Sequence, residues 1–277
     1  MAERSLVISD FDGTQTDAEA EGLMFVAGYT SALRVLTGLD ERTFASLLLG
    51  FESAIKEHPH RHGVERGGKI VASAIVDPYL RMQAIAKLIL DREGRFMDPI
   101  DRANLLEHLY LSNYSKTSIV PRQRAVEFMS ALNESKMVDF CVVTNARTAS
   151  VRDKLYRMGM NPDSIPLHGH AQKFELGPEP AHVPEWVNLI EGKSRVAYPR
   201  RTKYFEVLDK LRRERELEWS DITVVGDIFE LDLLLPFMLG CRVILLVNDN
   251  TPQYEIDFIT ECGEGRAHVF GDLKENY

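Results

Sequence analysis

The chain has 277 residues, long enough for one large domain or two small ones, and its apolar content of 44% is ordinary for a soluble globular protein. The net charge of −9 argues against a general nucleic-acid binder, and no apolar run approaches the roughly 20 residues that span a bilayer. The N-terminus lacks a signal-peptide pattern and the three cysteines lack metal-site spacing, so we expect a cytoplasmic protein with reduced thiols.

The first predicted element is a buried parallel strand that ends in two aspartates. Residues 6–9 read LVIS and are followed by DFDGT, which contains Asp10 and Asp12. Residues two apart in an extended segment point the same way, so both carboxylates should lie at the carboxyl end of the strand, where α/β sheets bind ligands. Two carboxylates this close repel unless a metal, a proton or a cation lies between them. Taken alone, the same residues are also typical of a solvated strand end.

A mostly helical segment, residues 17–117, follows this strand. Apolar residues recur at three- and four-residue spacing in four stretches, residues 21–36, 41–56, 78–90 and 101–110. No strand is predicted there, and residues 56–69, rich in glycine, histidine and charge, are predicted to form a loop. This loop could contact an anionic substrate, and His58, His60 and His62 could bind a metal, but a solvated loop is the simpler interpretation.

From residue 118 onward, helices and strands alternate. Helices are predicted at residues 121–134, 148–158, 202–216 and 230–239, and strands at residues 137–143, 165–171, 222–225 and 242–247. Residues 177–199 contain four prolines and are predicted to form an irregular insertion. The alternation predicts a doubly wound parallel sheet of the α/β class. Residues 1–16 and 118–277 should therefore form an α/β core, and residues 17–117 an all-helical insertion able to act as a lid.

Polar residues also follow two later strands of the predicted core. Thr144 and Asn145 come after the strand at residues 137–143 and could hydrogen-bond a phosphate oxygen, cap the next helix, or do both. Asp227 comes after the strand at residues 222–225 and would share the rim with Asp10 and Asp12. Three converging carboxylates would bind a hard dication such as Mg²⁺.

Two further charged residues are candidates for the same rim. Asp232 lies five residues after Asp227 and could support the metal or stabilise the first turn of the following helix. Lys203 opens the helix that leads back to the Asp227 strand, and a lysine there is a compact cation for a phosphate. Taken alone, a lysine in a charged helix is usually only solvated.

In this order, the four motifs resemble those of the haloacid dehalogenase (HAD) superfamily of hydrolases. The DxDGT motif matches residues 10–14, the strand-end threonine matches Thr144, and the final motif matches Gly226, Asp227 and Asp232. The motif lysine best matches Lys203, although the proline that often follows it is missing, so that Lys193 and Lys173 remain alternatives. The insertion after the first strand is similar to a C1-type cap on a Rossmann-like core.

The resemblance implies a role for each matched residue. Asp10 would be the nucleophile, and Asp12 would protonate the leaving oxygen and then activate water. The Asp10 carboxylate, the Asp12 backbone carbonyl and Asp227 would hold Mg²⁺, with Asp232 in support. The phosphoryl group would be bound by three residues, Thr144, Asn145 and Lys203.

The implied activity is Mg²⁺-dependent hydrolysis of a small phosphorylated metabolite through an aspartyl-phosphate. Asp12 favours phosphoryl transfer because a dehalogenase of this superfamily does not protonate a leaving alkoxide and lacks that residue. No nucleic-acid or membrane partner is expected. A phosphomutase or phosphotransferase on the same core, and a non-catalytic binding protein with this fold, remain alternatives.

Overall fold

The computed structural model describes residues 4–114, 117–190, 195–263, 265–271 and 273. In chain order the strands are β1 (Ser5–Ser9), β2 (Gly63–Arg66), β3 (Lys69–Ser73), β4 (Val138–Val143), β5 (Leu167–His168), β6 (Val187–Asn188), β7 (Val196–Ala197), β8 (Ile222–Gly226), β9 (Arg242–Leu246) and β10 (Ala267–Phe270). The helices are α1 (Ala18–Thr37), α2 (Glu41–Glu57), α3 (Pro78–Arg92), α4 (Pro99–Tyr114), α5 (Ala125–Glu134), α6 (Thr148–Arg157), α7 (Thr202–Glu214), α8 (Leu234–Leu239) and α9 (Gln253–Cys262).

The central sheet has six strands in the order β10-β9-β8-β1-β4-β5, and all of its neighbours are parallel. Successive strand side chains alternate between two apolar layers: in β9, Val243 and Leu245 lie in one and Ile244 and Leu246 in the other. Residues of α7 pack in the first layer and residues of α5 and α6 in the second. The predicted doubly wound α/β fold is thus confirmed.

The chain divides into two compact units. The first comprises residues 1–17, 65–72 and 121–277, and the second comprises residues 18–64 and 73–120. In the second unit α1 packs against α3 and α4, and α2 packs against α3. Its interior contains a buried arginine, Arg81, that donates two hydrogen bonds to Glu19, at 2.8 and 2.7 Å.

The prediction that residues 17–117 contain no strand is wrong. β2 and β3 form a separate two-stranded sheet, and residues 65–72, which hold parts of both strands, group with the first unit. Gly67 and Gly68 join the strands, both with positive φ, 56° and 74°. A two-residue Gly-Gly connection of this kind favours a hairpin, so the signal was present within the predicted loop.

Other boundaries also differ from the predicted ones. The helix predicted from residue 121 begins at Ala125, and the strand predicted at residues 165–171 is reduced to β5. The segment 230–239 starts with a π-helical turn, Phe229–Leu233, before α8. The irregular insertion contains the antiparallel pair β6–β7, and α9 and β10 were not predicted at all. Among the described residues, no helix has the length and apolar character needed to cross a membrane.

Candidate active site

Three of the four predicted motifs lie at the carboxyl edge of the central sheet. Asp10 follows β1, Thr144 follows β4 and Asp227 follows β8, and these three strands are neighbours in the order β8-β1-β4. The backbone of Asp10 still pairs with β8, because its N–H donates to the Val225 carbonyl at 2.8 Å. The strand register therefore fixes the backbone position of Asp10 at the carboxyl end of β1. Open α/β sheets bind their ligands at this end of the strands.

Three buried carboxylates form a close group at this edge. Oxygens of Asp10, Asp227 and Asp232 all lie within 4.8 Å of one another. Burial raises the pKa of Asp10 to about 7 despite the opposing effect of Lys173. Burial, with Asp232 and Asp10 close by, raises the pKa of Asp227 well above its ordinary range. An all-oxygen donor set with excess negative charge fits a hard divalent cation such as Mg²⁺.

Two glycines make this close approach possible. A Cβ on Gly13 would lie 2.1 Å from Asp227 Oδ2, and Gly13 has a φ of +84° that side-chain-bearing residues rarely adopt. A Cβ on Gly226 would lie 2.4 Å from the Cβ of Asp232. Thr14 completes the turn by donating its hydroxyl to Asp227 Oδ1 at 2.9 Å. The DxDGT motif therefore shapes the carboxylate group as well as contributing to it.

The lysine at the carboxylate group is Lys173. Its Nζ lies 2.7 Å from Asp10 Oδ1 and 2.8 Å from Asp232 Oδ1, and the side chain is 1% exposed. Burial alone would lower the pKa of Lys173, but the Asp10 and Asp232 carboxylates outweigh it and raise the pKa. Lys173 is therefore a charged ammonium shared between two of the three carboxylates.

The choice of Lys203 as the motif lysine is corrected by this arrangement. Its side chain is 58% exposed and pairs with Glu206 of the same helix at 2.9 Å. The next residue, Tyr204, is buried and donates its hydroxyl to the Asp232 carbonyl at 2.8 Å. Adjacent helix positions face different directions, so Lys203 is turned to the surface. The other alternative, Lys193, lies outside the described residues.

Contacts with Asn145, Arg201 and Tyr204 help to hold the loop carrying Lys173. Asn145 accepts a hydrogen bond from the Lys173 backbone N–H at 2.7 Å, and Arg201 donates to the Lys173 carbonyl. The Lys173 ammonium lies 5.3 Å from the centroid of the Tyr204 ring. Asn145, predicted to bind phosphate, has its side-chain oxygen directed at this loop. Thr144 is buried beside it, with its hydroxyl accepting from the Ala146 N–H at 3.2 Å.

Asp12 is set apart from the other aspartates. Its carboxylate is not a member of the group formed by Asp10, Asp227 and Asp232. Asp12 Oδ1 instead accepts a hydrogen bond from Lys154 Nζ of α6 at 2.7 Å, and the Asp12 side chain is 28% exposed. Lys154 could not be identified from the sequence, since a lysine in a charged helix carries no distinguishing pattern. The two carboxylates of DxDGT thus have different partners and different exposure.

Two lysines of the basic segment at residues 56–69 pair with glutamates. Lys56 pairs with Glu52, and Lys69 pairs with Glu185 and lies 4.7 Å from the centroid of the Tyr198 ring. Within the part of the chain that the structure describes, no group of possible metal ligands includes a histidine. The carboxylate group is therefore the candidate metal centre.

Comparisons with known proteins address the fold. No protein-family model matches the sequence, and no curated protein matches it. Among the solved structures that match almost the whole chain are a HAD-hydrolase candidate from Bacillus subtilis bound to magnesium (14% identity, 98% of this chain and 96% of that one, TM-score 0.52), a predicted phosphoglycolate phosphatase from Haemophilus somnus (15%, 98% and 96%, 0.55) and a haloacid dehalogenase-like protein of unknown function from Agrobacterium tumefaciens (12%, 98% and 95%, 0.53). The chain has the haloacid dehalogenase-like fold.

Proposed function

We propose that this protein is a Mg²⁺-dependent phosphatase that hydrolyses a small-molecule phosphomonoester through an aspartyl-phosphate. The observation that carries the proposal is the division of the aspartates. Asp10 lies in a buried group with Asp227, Asp232 and Lys173, whereas Asp12 lies outside it with a more exposed carboxylate. A nucleophile needs fixed counter-charges, and a proton-transferring group needs access to the leaving oxygen.

In the first half-reaction, an Asp10 carboxylate oxygen attacks phosphorus and the bond from phosphorus to the leaving oxygen breaks. Asp12 gives its proton to that oxygen, so the products are an alcohol and the Asp10 aspartyl-phosphate. In the second, Asp12 takes a proton from water, and the water oxygen attacks phosphorus. The bond from phosphorus to Asp10 breaks, which restores the Asp10 carboxylate and releases inorganic phosphate.

The side chains around Asp10 would stabilise the transferring phosphoryl group. The Lys173 ammonium, already 2.7 Å from Asp10, would neutralise phosphoryl charge as it moves onto and off that carboxylate. Thr144 lies at the end of the neighbouring strand β4, where its hydroxyl could bind a phosphoryl oxygen. Mg²⁺ held by Asp10, Asp227 and Asp232 would supply the further positive charge that phosphoryl transfer requires.

Two of the similar solved structures support the proposal by their names. One is described as bound to magnesium and another as a predicted phosphoglycolate phosphatase. The inserted second unit would act as the cap that selects the substrate, as expected for a C1-type insertion. We propose a cytoplasmic location and a small phosphorylated metabolite as the substrate.

The test is phosphate release by the purified protein from a broad panel of phosphomonoesters, with Mg²⁺ and after its removal by a chelator. We expect release that depends on Mg²⁺ and is abolished in Asp10→Asn. Asp249→Asn removes the same charge from an exposed residue and should release phosphate at the wild-type rate. Circular dichroism would show that both variants are folded.

Three results would contradict the proposal. One is an absence of release from the whole panel by folded, Mg²⁺-supplied protein. Another is unchanged turnover in Asp10→Asn, which would remove Asp10 as the nucleophile. Transfer of phosphate to a second alcohol without release would instead identify a phosphotransferase.

A further inference from the structure

Lys154 differs from the other charged residues of α6. Arg152 pairs with Asp163, and Arg157 pairs with Asp153, in ion pairs whose side chains are all more than 40% exposed. The Lys154 side chain is 11% exposed and reaches Asp12 at 2.7 Å. Withdrawing a lysine from water costs solvation and rotamer freedom, so this contact has a cost that an exposed pair avoids. A surface role does not explain it.

The contact joins two elements that are far apart in sequence. Asp12 lies in the loop after β1, and Lys154 lies on the helix after β4, the strand paired with β1. Lys154 is the partner that the structure gives to the Asp12 carboxylate within its described residues, and it engages one oxygen, Oδ1. A carboxylate anchored at one oxygen has a fixed direction, while its second oxygen remains available.

We propose that Lys154 is a positioning residue that directs Asp12 toward the leaving group. The inference rests on the proposed function, in which Asp12 exchanges a proton with the leaving oxygen. The structure thereby divides two lysines between two tasks. Lys173 neutralises Asp10 and Asp232 in the buried group, and Lys154 keeps Asp12 apart from that group.

The test compares two substrates that differ in their need for a proton. The leaving group of 4-nitrophenyl phosphate departs as a stable phenolate, whereas 4-nitrobenzyl phosphate releases an alkoxide that must be protonated. With enzyme in excess, rapid quenching measures the alcohol or phenol formed in the first half-reaction alone. The measured rate then does not include hydrolysis of the aspartyl-phosphate, which is the same for both substrates.

Lys154→Met should slow the first half-reaction of 4-nitrobenzyl phosphate by about 100-fold, the lower end of the effect of a positioned acid, and that of 4-nitrophenyl phosphate by less than about fivefold. Lys154→Arg, which keeps a charged donor, should restore the benzyl substrate to within about tenfold of wild type. Asp12→Asn should show the same selectivity. The double variant that combines Asp12→Asn with Lys154→Met should be no slower than Asp12→Asn, because Lys154 acts through Asp12.

Lys203→Met is the matched control, since it removes an exposed lysine, and both rates should stay unchanged. Equal losses on both substrates in folded Lys154→Met would overturn the positioning role, as would additive losses in the double variant. An unaffected first half-reaction in Lys154→Met, or no recovery of the benzyl substrate in Lys154→Arg, would also contradict it. If the wild type converts neither substrate nor any other member of the panel, the proposed function itself fails, which is a distinguishable result.

Discussion

Replacing Lys173 by methionine should be far more damaging than replacing Lys203 in the same way. Lys173 contacts Asp10 and Asp232 at 2.7 and 2.8 Å in the interior. At an effective dielectric constant of about 20 and about 4 Å between charge centres, each pair contributes about 4 kcal/mol, or about 8 kcal/mol for the two. Several kcal/mol of this offset the desolvation of the ammonium, which leaves a net loss of about 3–5 kcal/mol in Lys173→Met.

The loss should depend on pH and on Mg²⁺. In Lys173→Met the buried carboxylates repel one another, and protonation at low pH removes this repulsion. The loss of stability relative to wild type should therefore be smaller at pH 5.5 than at pH 8. Added Mg²⁺ should restore part of the stability at pH 8, because it replaces missing positive charge. Turnover should fall by about 100- to 1,000-fold even with Mg²⁺, the usual effect of removing one group that stabilises the transition state.

Urea unfolding followed by circular dichroism would give the free energies, and phosphate release would give the rates. Lys203→Met should change the free energy of unfolding by less than about 1 kcal/mol, because exposed ion pairs contribute little, and should leave turnover unchanged. Equal stability of the two variants at pH 8 without Mg²⁺ would refute the role of Lys173, as would a loss of turnover in Lys203→Met but not in Lys173→Met.

Two further predictions concern the carboxylate group. Gly13→Ala should lose more than about 2 kcal/mol of stability and should no longer bind Mg²⁺ in calorimetry. The added Cβ would lie 2.1 Å from Asp227 Oδ2, at a φ of +84°. Gly50→Ala is the control, because this helical position has open space around it, and it should keep both its stability and its Mg²⁺ binding. Burial raises the pKa of Asp10 to about 7 and raises the pKa of Asp227. Between about pH 4 and pH 7 the unfolded chain therefore releases protons that the folded chain keeps. Without metal, the free energy of unfolding should fall as the pH rises through this range. Mg²⁺ competes with those protons, so it should raise the melting temperature more at pH 8 than at pH 5.5, and an equal rise at both would contradict the assignment.

The sequence predicts those residues of the site whose positions depend on local structure alone. Asp10 lies directly after a run of buried strand residues, and its position follows once β1 is placed in a parallel sheet. Asp227 follows β8 for the same reason. Period-2 and period-3.6 patterns identify such strand ends without knowledge of the rest of the chain. The parallel sheet then brings the strand ends together.

Lys173 could not be chosen from the sequence for a physical reason. It lies in a loop after β5 that contains left-handed residues, His170 at a φ of 55° and Gln172 at 51°. Such a loop has no periodicity, and its course depends on contacts with Asn145 and Arg201, which are distant in sequence. Lys203 begins a helix with a clear pattern, so the pattern favoured the residue that the structure turns to solvent.

Arg201, two residues before Lys203, is a buried part of the site's surroundings. This buried arginine donates to the carbonyls of Lys173, Val71 and Glu230, which are far apart in sequence. Burial lowers its pKa to about 10, below the ordinary value for arginine. The start of α7 therefore contributes to the site through Arg201 and Tyr204, which hold the backbone around it, and not through Lys203.

The order of the strands arranges the charges of the site. Asp227 and Asp232 follow β8 on one side of β1, while Lys154 and Lys173 follow β4 and β5 on the other. Asp10, at the end of β1, lies between the carboxylate side and the ammonium side. A divalent cation is attracted to the first side, and a phosphoryl group on Asp10 would meet an ammonium from the second. Like charges are thus held together on the side where a metal can neutralise them, and Lys173 reaches from the other side to contact both Asp10 and Asp232.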